Sequence, residues 1–301
     1  MDIFLTGGTG FVGRHLLRKL LDEEHTVKCL VREKSKSNLP EDSKVVPVPG
    51  SIHEPMSFED ALDGCDAVIN LVGIISELRE NTFYRVHTLG TVNVVDAMRQ
   101  HGVKRLIQMS ALGTRPGARS RYHITKHDAE EHIRMRSMDY TIFRPSVIHG
   151  PDGEFMELMK KFAKYPFFPV PGKGESLLQP VYVEDVANVI VKSLTTPASI
   201  GRDYNLGGPV TYRFEEIVKL TGNALDTTAR SFQLPLWYMN IIAMSMEVIC
   251  PLVGKKPELN TDQLLMTQED NTCDSSEAEE TFGTTFAHFE EALATYVSQI
   301  R

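Results

Sequence analysis

Tyr122 and Lys126 stand four residues apart in Tyr122-His-Ile-Thr-Lys126, a spacing that puts both side chains on one face of a helix. An ammonium beside a phenol lowers the phenol pKa electrostatically, so the pair predicts a tyrosine that exchanges a proton near neutral pH. The same lysine can hydrogen-bond a ribose hydroxyl. Ser110, which follows the strand-like Arg105-Leu-Ile-Gln-Met109, is the candidate donor to a substrate oxygen. Tyr-x-x-x-Lys alone is common on surface helices, and the start of the chain is what gives it weight. Met1-Asp-Ile-Phe-Leu-Thr-Gly-Gly-Thr-Gly-Phe-Val-Gly13 places a short apolar run before Thr6 and then glycines at 7, 10 and 13. A helical apolar pattern begins at Phe11 and Val12. Strand, glycine turn and helix N-terminus together present backbone N–H groups and the positive helix end to a pyrophosphate.

The end of the second strand separates two forms of dinucleotide. An acidic residue there suits the ribose 2′-hydroxyl of NAD, and an arginine suits the 2′-phosphate of NADP. Thr26-Val-Lys-Cys-Leu-Val31 is followed by Arg32, with Lys34 and Lys36 close by and Glu33 between them. A guanidinium grips a phosphate bidentately. NADP(H) is therefore the expected cofactor, with NAD(H) as the alternative. Further cofactor contacts are expected where other strands end: Ser51 and Ile52 after the third, Gly73 after the fourth, and Pro145 after the sixth.

Those strands are read at Ile3–Leu5, Thr26–Val31, Val45–Val48, Ala67–Val72, Arg105–Met109 and Tyr140–Phe143, with helices over Phe11–Leu21, Phe83–Gln100 and Tyr122–Met135 between them. Such alternation implies right-handed βαβ crossovers and a doubly wound parallel α/β sheet of the Rossmann type. Ligands of such sheets collect at the carboxyl ends of the strands, where every candidate above lies. The expected organisation is a dinucleotide-binding domain over 1–150 with a return segment at about 180–207. A smaller C-terminal lobe of 151–179 and 208–301 would hold substrate or a partner. Gln179 to Asp185 is expected to return to the sheet, with Asp185 at a helix N-terminus.

The 301 residues carry a net charge of −8, which argues against nucleic-acid binding through a basic surface. The apolar run at the N-terminus reads as a strand, not a targeting leader, and no uninterrupted apolar run reaches the length of a membrane span. Four scattered cysteines, without a Cys-x-x-Cys pair, fit a reducing compartment, and a cytoplasmic location is expected. His123 and His127 are four apart but lack a further ligand at metal-binding spacing, so no metal site is expected. Phe232 to Val253 is the most apolar stretch. Its expected place is a half-buried helix of the C-terminal lobe, and the alternative is an apolar face against a partner subunit or a membrane surface. Phe162, Tyr165, Phe167, Phe168 and Pro169 suggest a weakly polar substrate cleft.

The motifs TGGTGFVG, FYRVHTLGTVNVVDA, MSALG, YHITK, RPSVIHGPDG and QPVYVEDVA resemble the atypical extended short-chain dehydrogenases/reductases of the NAD-dependent epimerase/dehydratase superfamily. DYNLGGP, LNTDQLLMTQEDNTCD and FGTTFAHFEEALATYV are similar to the branch containing the nucleotide-binding accessory subunit of mitochondrial complex I and its bacterial relatives. The resemblance spans the chain. It implies a Rossmann domain holding NADP(H) or NAD(H), with Tyr122 as acid/base, Lys126 as its tuner and Ser110 as a third catalytic group. It also sets two departures. The family asparagine that supports a proton relay is His87 here, a group that titrates near neutral pH when unperturbed. The family aspartate that contacts adenine is Ser51. Two functions follow as expectations: an oxidoreductase, epimerase or dehydratase acting on a small molecule, or a non-catalytic nucleotide-binding accessory or assembly protein of a respiratory complex.

Overall fold

A computed structural model describes residues 1–300. In chain order its strands are β1 Asp2–Thr6, β2 Thr26–Val31, β3 Val45–Pro49, β4 Ala67–Asn70, β5 Arg105–Met109, β6 Asp139–Pro145, β7 Ile148–His149, β8 Phe167–Pro171, β9 Leu177–Leu178, β10 Val181–Tyr182, β11 Arg202–Leu206, β12 Tyr212–Arg213 and β13 Arg230–Leu234. The helices are α1 Phe11–Asp22, α2 Gly90–Gln100, α3 Arg121–Arg134, α4 Glu154–Lys164, α5 Val183–Ser193, α6 Phe214–Ala224, α7 Leu236–Leu252, α8 Thr261–Met266, α9 Ser276–Phe282 and α10 Phe289–Ile300.

Seven strands form one parallel sheet in the order β11-β6-β5-β4-β1-β2-β3. Strand order reverses at β1, so a crevice opens above the carboxyl ends of β1 and β4. The period-two pleat sorts the core into two layers. Ile3, Leu5, Ile69 and Ile107 point to one face and pack with Leu16, Leu17 and Leu20 of α1 and Val186 and Ile190 of α5. Phe4, Val68 and Leu106 point to the other and pack with Val94, Val95 and Met98 of α2 and Ile133 of α3.

Three expectations are adjusted. The seventh sheet strand is Arg202–Leu206, paired along Thr141–Pro145 of β6, whereas Val181–Tyr182 pairs only with Ile148–His149. The helix expected over 83–100 opens instead as a π-helical segment, Tyr84–Leu89, before α2 begins at Gly90. Such segments widen the backbone spiral and cluster at functional sites. Phe168 lies in a third core with Met156, Ile217 and Tyr296, and Phe162 and Phe214 pack against it, Phe162 stacked on Phe168 and edge-on to Phe214, so these phenylalanines serve packing and do not line a cleft.

The apolar stretch at 232–253 also departs from a half-buried helix. Of the 17 residues of α7 only Met239 and Ala243 are buried. Trp237 is 67% exposed and Leu252 81%. No helix among the described residues is long and apolar enough to cross a membrane.

Candidate dinucleotide and active site

The glycine turn is built by exclusion of side chains. Gly7 has φ +77°, a left-handed conformation, and a Cβ there would lie 3.2 Å from Leu71 of the chain leaving β4. Gly13 sits in the first turn of α1, where a Cβ would come within 2.1 Å of the Gly7 carbonyl oxygen. Only glycine allows that helix to start against the turn. Gly10 N–H donates to Gly7 O at 2.9 Å and closes the loop. Gly10 is also the N-cap of α1, which has neither a side-chain cap nor an acidic residue in its first turn. The orphan N–H groups at Phe11, Val12 and Gly13, together with the helix dipole, therefore face the crevice without an internal anion. The Phe11 ring itself packs on the loop after β7, close enough that a Cβ on Gly153 would meet it at 2.9 Å.

Thr6 is buried and its hydroxyl donates to Asn70 Oδ1 at 2.5 Å. The Asn70 amide then donates to Gln108 Oε1 at 2.9 Å, linking β1, β4 and β5 beneath the crevice. Thr6 therefore supports the site from below. Arg32 is exposed at the end of β2, where it caps the short 3-10 turn Glu33–Asn38, and its guanidinium makes no hydrogen bond or ion pair among the described residues. Ser51 Oγ accepts from His53 N–H at 3.3 Å. Ile52 is buried beside Gly90, and its carbonyl accepts from Asn93 Nδ2 at 2.8 Å, so α2 fixes the segment after β3. Pro145 is buried at the end of β6, and its carbonyl accepts from Leu112 N–H at 2.8 Å.

Helix α3 carries the reactive pair. Ser120 caps it by accepting from His123 N–H, which sets Tyr122 in the first turn and Lys126 one turn on. The Lys126 ammonium lies 5.6 Å from the centre of the Tyr122 ring. A Cβ on Gly73 would sit 3.5 Å from Lys126 Nζ and 3.7 Å from His87 Nε2, so the end of β4 meets both residues. His87 packs edge-on to Tyr122 at 5.2 Å, and Phe83 packs edge-on at 5.9 Å. The Tyr122 hydroxyl makes no hydrogen bond to any described residue.

The electrostatics depart from the sequence reading in two places. Burial pushes the Tyr122 phenol above its ordinary value, so desolvation outweighs the nearby ammonium and the free protein keeps this tyrosine protonated. Lys126 is instead the tuned group: burial pulls its ammonium down to about 8, against a smaller opposing pull from Glu130. His87 is held neutral, pushed down to about 2 by burial and by the Lys126 charge. His87 Nδ1 is hydrogen-bonded to Thr125 Oγ1 at 3.0 Å, and Nε2 lies 3.1 Å from both the N–H and the carbonyl oxygen of Ile74. The ring is fully partnered and does not titrate near neutral pH.

Ser110 is buried, and its hydroxyl donates to Glu130 Oε1 at 2.5 Å. Glu130 is fully buried, and its carboxylate also pairs with Arg144 and Arg134, which share Asp203. These bonds hold Glu130 below the usual carboxylate range against the cost of its burial. Arg144 is thereby a structural ion-pair partner. The next residue, Ala111, has no hydroxyl to offer a substrate. Glu130, which the sequence reading does not single out, lies one further turn beyond Lys126 on the same helix face.

A second feature that the sequence reading does not contain lies beside the site. Asn260 Nδ2 donates to Ile75 O at 2.9 Å, and Asp262 Oδ1 accepts from Arg121 N–H at 2.5 Å. The N-terminus of α8 is thus tied both to the loop after Gly73 and to the residue preceding Tyr122.

The NAD(P)H-binding family model matches residues 7–197. The chain belongs to that family. Within it, the chain falls in the extended short-chain dehydrogenase/reductase and epimerase branch. It is 32% identical over 240 residues to NADH dehydrogenase [ubiquinone] 1 alpha subcomplex subunit 9, mitochondrial, of Arabidopsis thaliana, a match covering 76% of this chain and 59% of that one. It thus spans less than two thirds of that subunit. The ceramide reductase of Caulobacter vibrioides is 29% identical over 238 residues, covering 77% of this chain and 73% of its own. The photosystem II assembly factor Ycf39 of Synechocystis is 24% identical over 286 residues, covering 94% and 86%. In fold, this NAD(P)H-binding chain superimposes on the UDP-glucose 4-epimerase of Thermotoga maritima with a TM-score of 0.78, at 20% identity and covering 100% and 99% of the two chains.

Proposed function

We propose that this NAD(P)H-binding protein is an NADP(H)-dependent reductase of a weakly polar carbonyl compound, with Tyr122 as the proton donor. The observation that carries the proposal is Lys126. It is a buried ammonium whose single hydrogen bond among the described residues, to Met109 O, is 3.3 Å long. An ammonium has three donors, and a buried one is costly unless they are used. Dinucleotide ribose hydroxyls at the crevice would use them. The uncapped start of α1 fits a pyrophosphate, and the unpaired Arg32 fits a 2′-phosphate.

When bound, the cofactor supplies a hydride. This chain's residues supply the rest. Burial keeps the Tyr122 hydroxyl protonated, as required of a group that must give a proton to a substrate oxygen as that oxygen becomes an alkoxide. Lys126, poised at about 8, stabilises the phenolate that remains and lies near the pH at which a proton is readily returned. His87 and Phe83 hold the Tyr122 ring edge-on. Ser110, committed to Glu130, has no direct part. A weakly polar substrate is favoured by the relative named ceramide reductase and by the apolar α7 beside the mouth.

A second reading has its own support. The Ser110–Glu130 bond and the neutral His87 remove two groups that a dehydrogenase of this branch would use. Together with relatives named as a complex I subunit and an assembly factor, they favour a partner-bound protein that holds NADP(H) without turnover. Cofactor oxidation in the presence of long-chain aldehydes and ketones separates the two. Turnover that falls at least a hundredfold in Tyr122→Phe is expected for the reductase, and no turnover by the wild type with tight NADPH binding is expected for the accessory protein.

A further inference from the structure

We propose that α7 is a peripheral docking surface for an anionic lipid bilayer. Along its outer side Trp237, Ile241, Met244, Val248, Ile249 and Leu252 are each more than half exposed, and they recur at helical spacing. At 17 residues α7 is roughly 25 Å long, so the stripe is a continuous apolar ridge. Its one charged residue is turned inward, because the Glu247 carboxylate accepts from Thr261 N–H at 2.9 Å. On the β8–β13 ribbon that precedes α7, Phe167 and Phe232 are also exposed, 60% and 44%.

Charge decides what covers the ridge. Beyond its C-terminal end stand Lys255 and Lys256, both exposed, and Arg79 reaches the same turn, 3.6 Å from where a Gly254 Cβ would lie. None of the three side chains has an ion pair or hydrogen bond among the described residues. The nearby Glu258 is already paired with Lys161 at 2.9 Å. At the other end Lys173 and Arg230 are also exposed and unpaired, while Glu215 is satisfied by Ser231. A second copy laid along α7 in either direction would set cations against cations. An anionic headgroup layer neutralises both ends while the ridge enters the acyl boundary, with Trp237 and Tyr238 at the depth such rings prefer. On a chain of net charge −8, these unpaired cations have no general surplus to explain them. Docking requires nothing of Tyr122, although it would set the mouth of the site against the membrane.

The test is co-sedimentation of the full chain with phosphatidylcholine vesicles with and without phosphatidylglycerol, alongside its mass in solution by light scattering. Binding only to the anionic vesicles, by a monomer, is expected. Lys255→Gln and Lys256→Gln should each weaken binding roughly fivefold, with the effect shrinking at high salt. The triple change Trp237→Ser, Val248→Ser, Ile249→Ser should abolish it while NADPH affinity and melting temperature stay unchanged, which shows that the variant is folded. A stable dimer that loses its contact in the triple variant would overturn the proposal in favour of self-association. A monomer that ignores both vesicle types would overturn it outright.

Discussion

Replacing Lys126 with methionine should stabilise the free protein at neutral pH while it damages the site. A lysine whose pKa falls from 10.5 to about 8 on folding is one whose charged form the fold disfavours. At a pH below both values the cost is the full shift, about 3.5 kcal/mol at 1.4 kcal/mol per pKa unit. Methionine fills a similar volume without charge, and it forfeits one long hydrogen bond worth about 1 kcal/mol. The net gain of about 2.5 kcal/mol corresponds to a melting temperature higher by roughly 4 °C. The gain fades with rising pH in a defined way. Between 8 and 10.5 the unfolded chain binds more protons than the folded one, so the wild type gains stability as pH rises through this window. The advantage of Lys126→Met should therefore be present at about pH 7 and nearly gone at about pH 10, while NADPH affinity is reduced at both. Paired thermal melts at the two pH values provide the assay. A variant that is less stable than the wild type by the same amount at both would refute the claim that Lys126 is a buried, under-partnered ammonium.

Arg32→Ala should weaken NADPH binding at least tenfold and leave NADH binding unchanged in fluorescence titration, as expected for loss of a bidentate phosphate contact. Gly13→Ala should abolish binding of either cofactor, because its Cβ would sit 2.1 Å from the Gly7 oxygen and force α1 off the turn. Glu130→Gln should cost about 3 kcal/mol in denaturant unfolding, since two half-buried guanidiniums lose the buried carboxylate they share. Because folding lowers the Glu130 pKa below 4.5, the wild type holds this contribution above that pH and loses it as pH falls through the folded value. Acid unfolding should accordingly be shallower in Glu130→Gln.

The parts of the site that were legible in the sequence are those governed by local sterics and spacing. Gly7 and Gly13 could be read because a turn that admits no Cβ leaves no other residue type to choose. Tyr122 and Lys126 could be paired because a helix fixes the relation of residues four apart. The direction of the Ser110 hydroxyl could not be read: its partner Glu130 lies 20 residues away and reaches it only after β5 and α3 have packed. The balance at Tyr122 is illegible in the sequence for a related reason. Spacing reveals the neighbouring ammonium, but desolvation depends on Phe83 and His87, which arrive from a different segment. Exposure of α7 was hidden because an apolar helix has the same composition whether it faces a core or lies bare. The seventh strand, Arg202–Leu206, lacks a continuous apolar run and takes its place through pairing with β6.

The most direct measurement is NADPH oxidation by the purified protein with a long-chain aldehyde or ketone, compared between wild type and Tyr122→Phe after both have been shown to bind NADPH equally. Turnover by the wild type that drops at least a hundredfold in the variant, with the wild-type rate declining as pH rises past about 8, is the predicted result. Turnover indifferent to the loss of the hydroxyl would contradict Tyr122 as the proton donor.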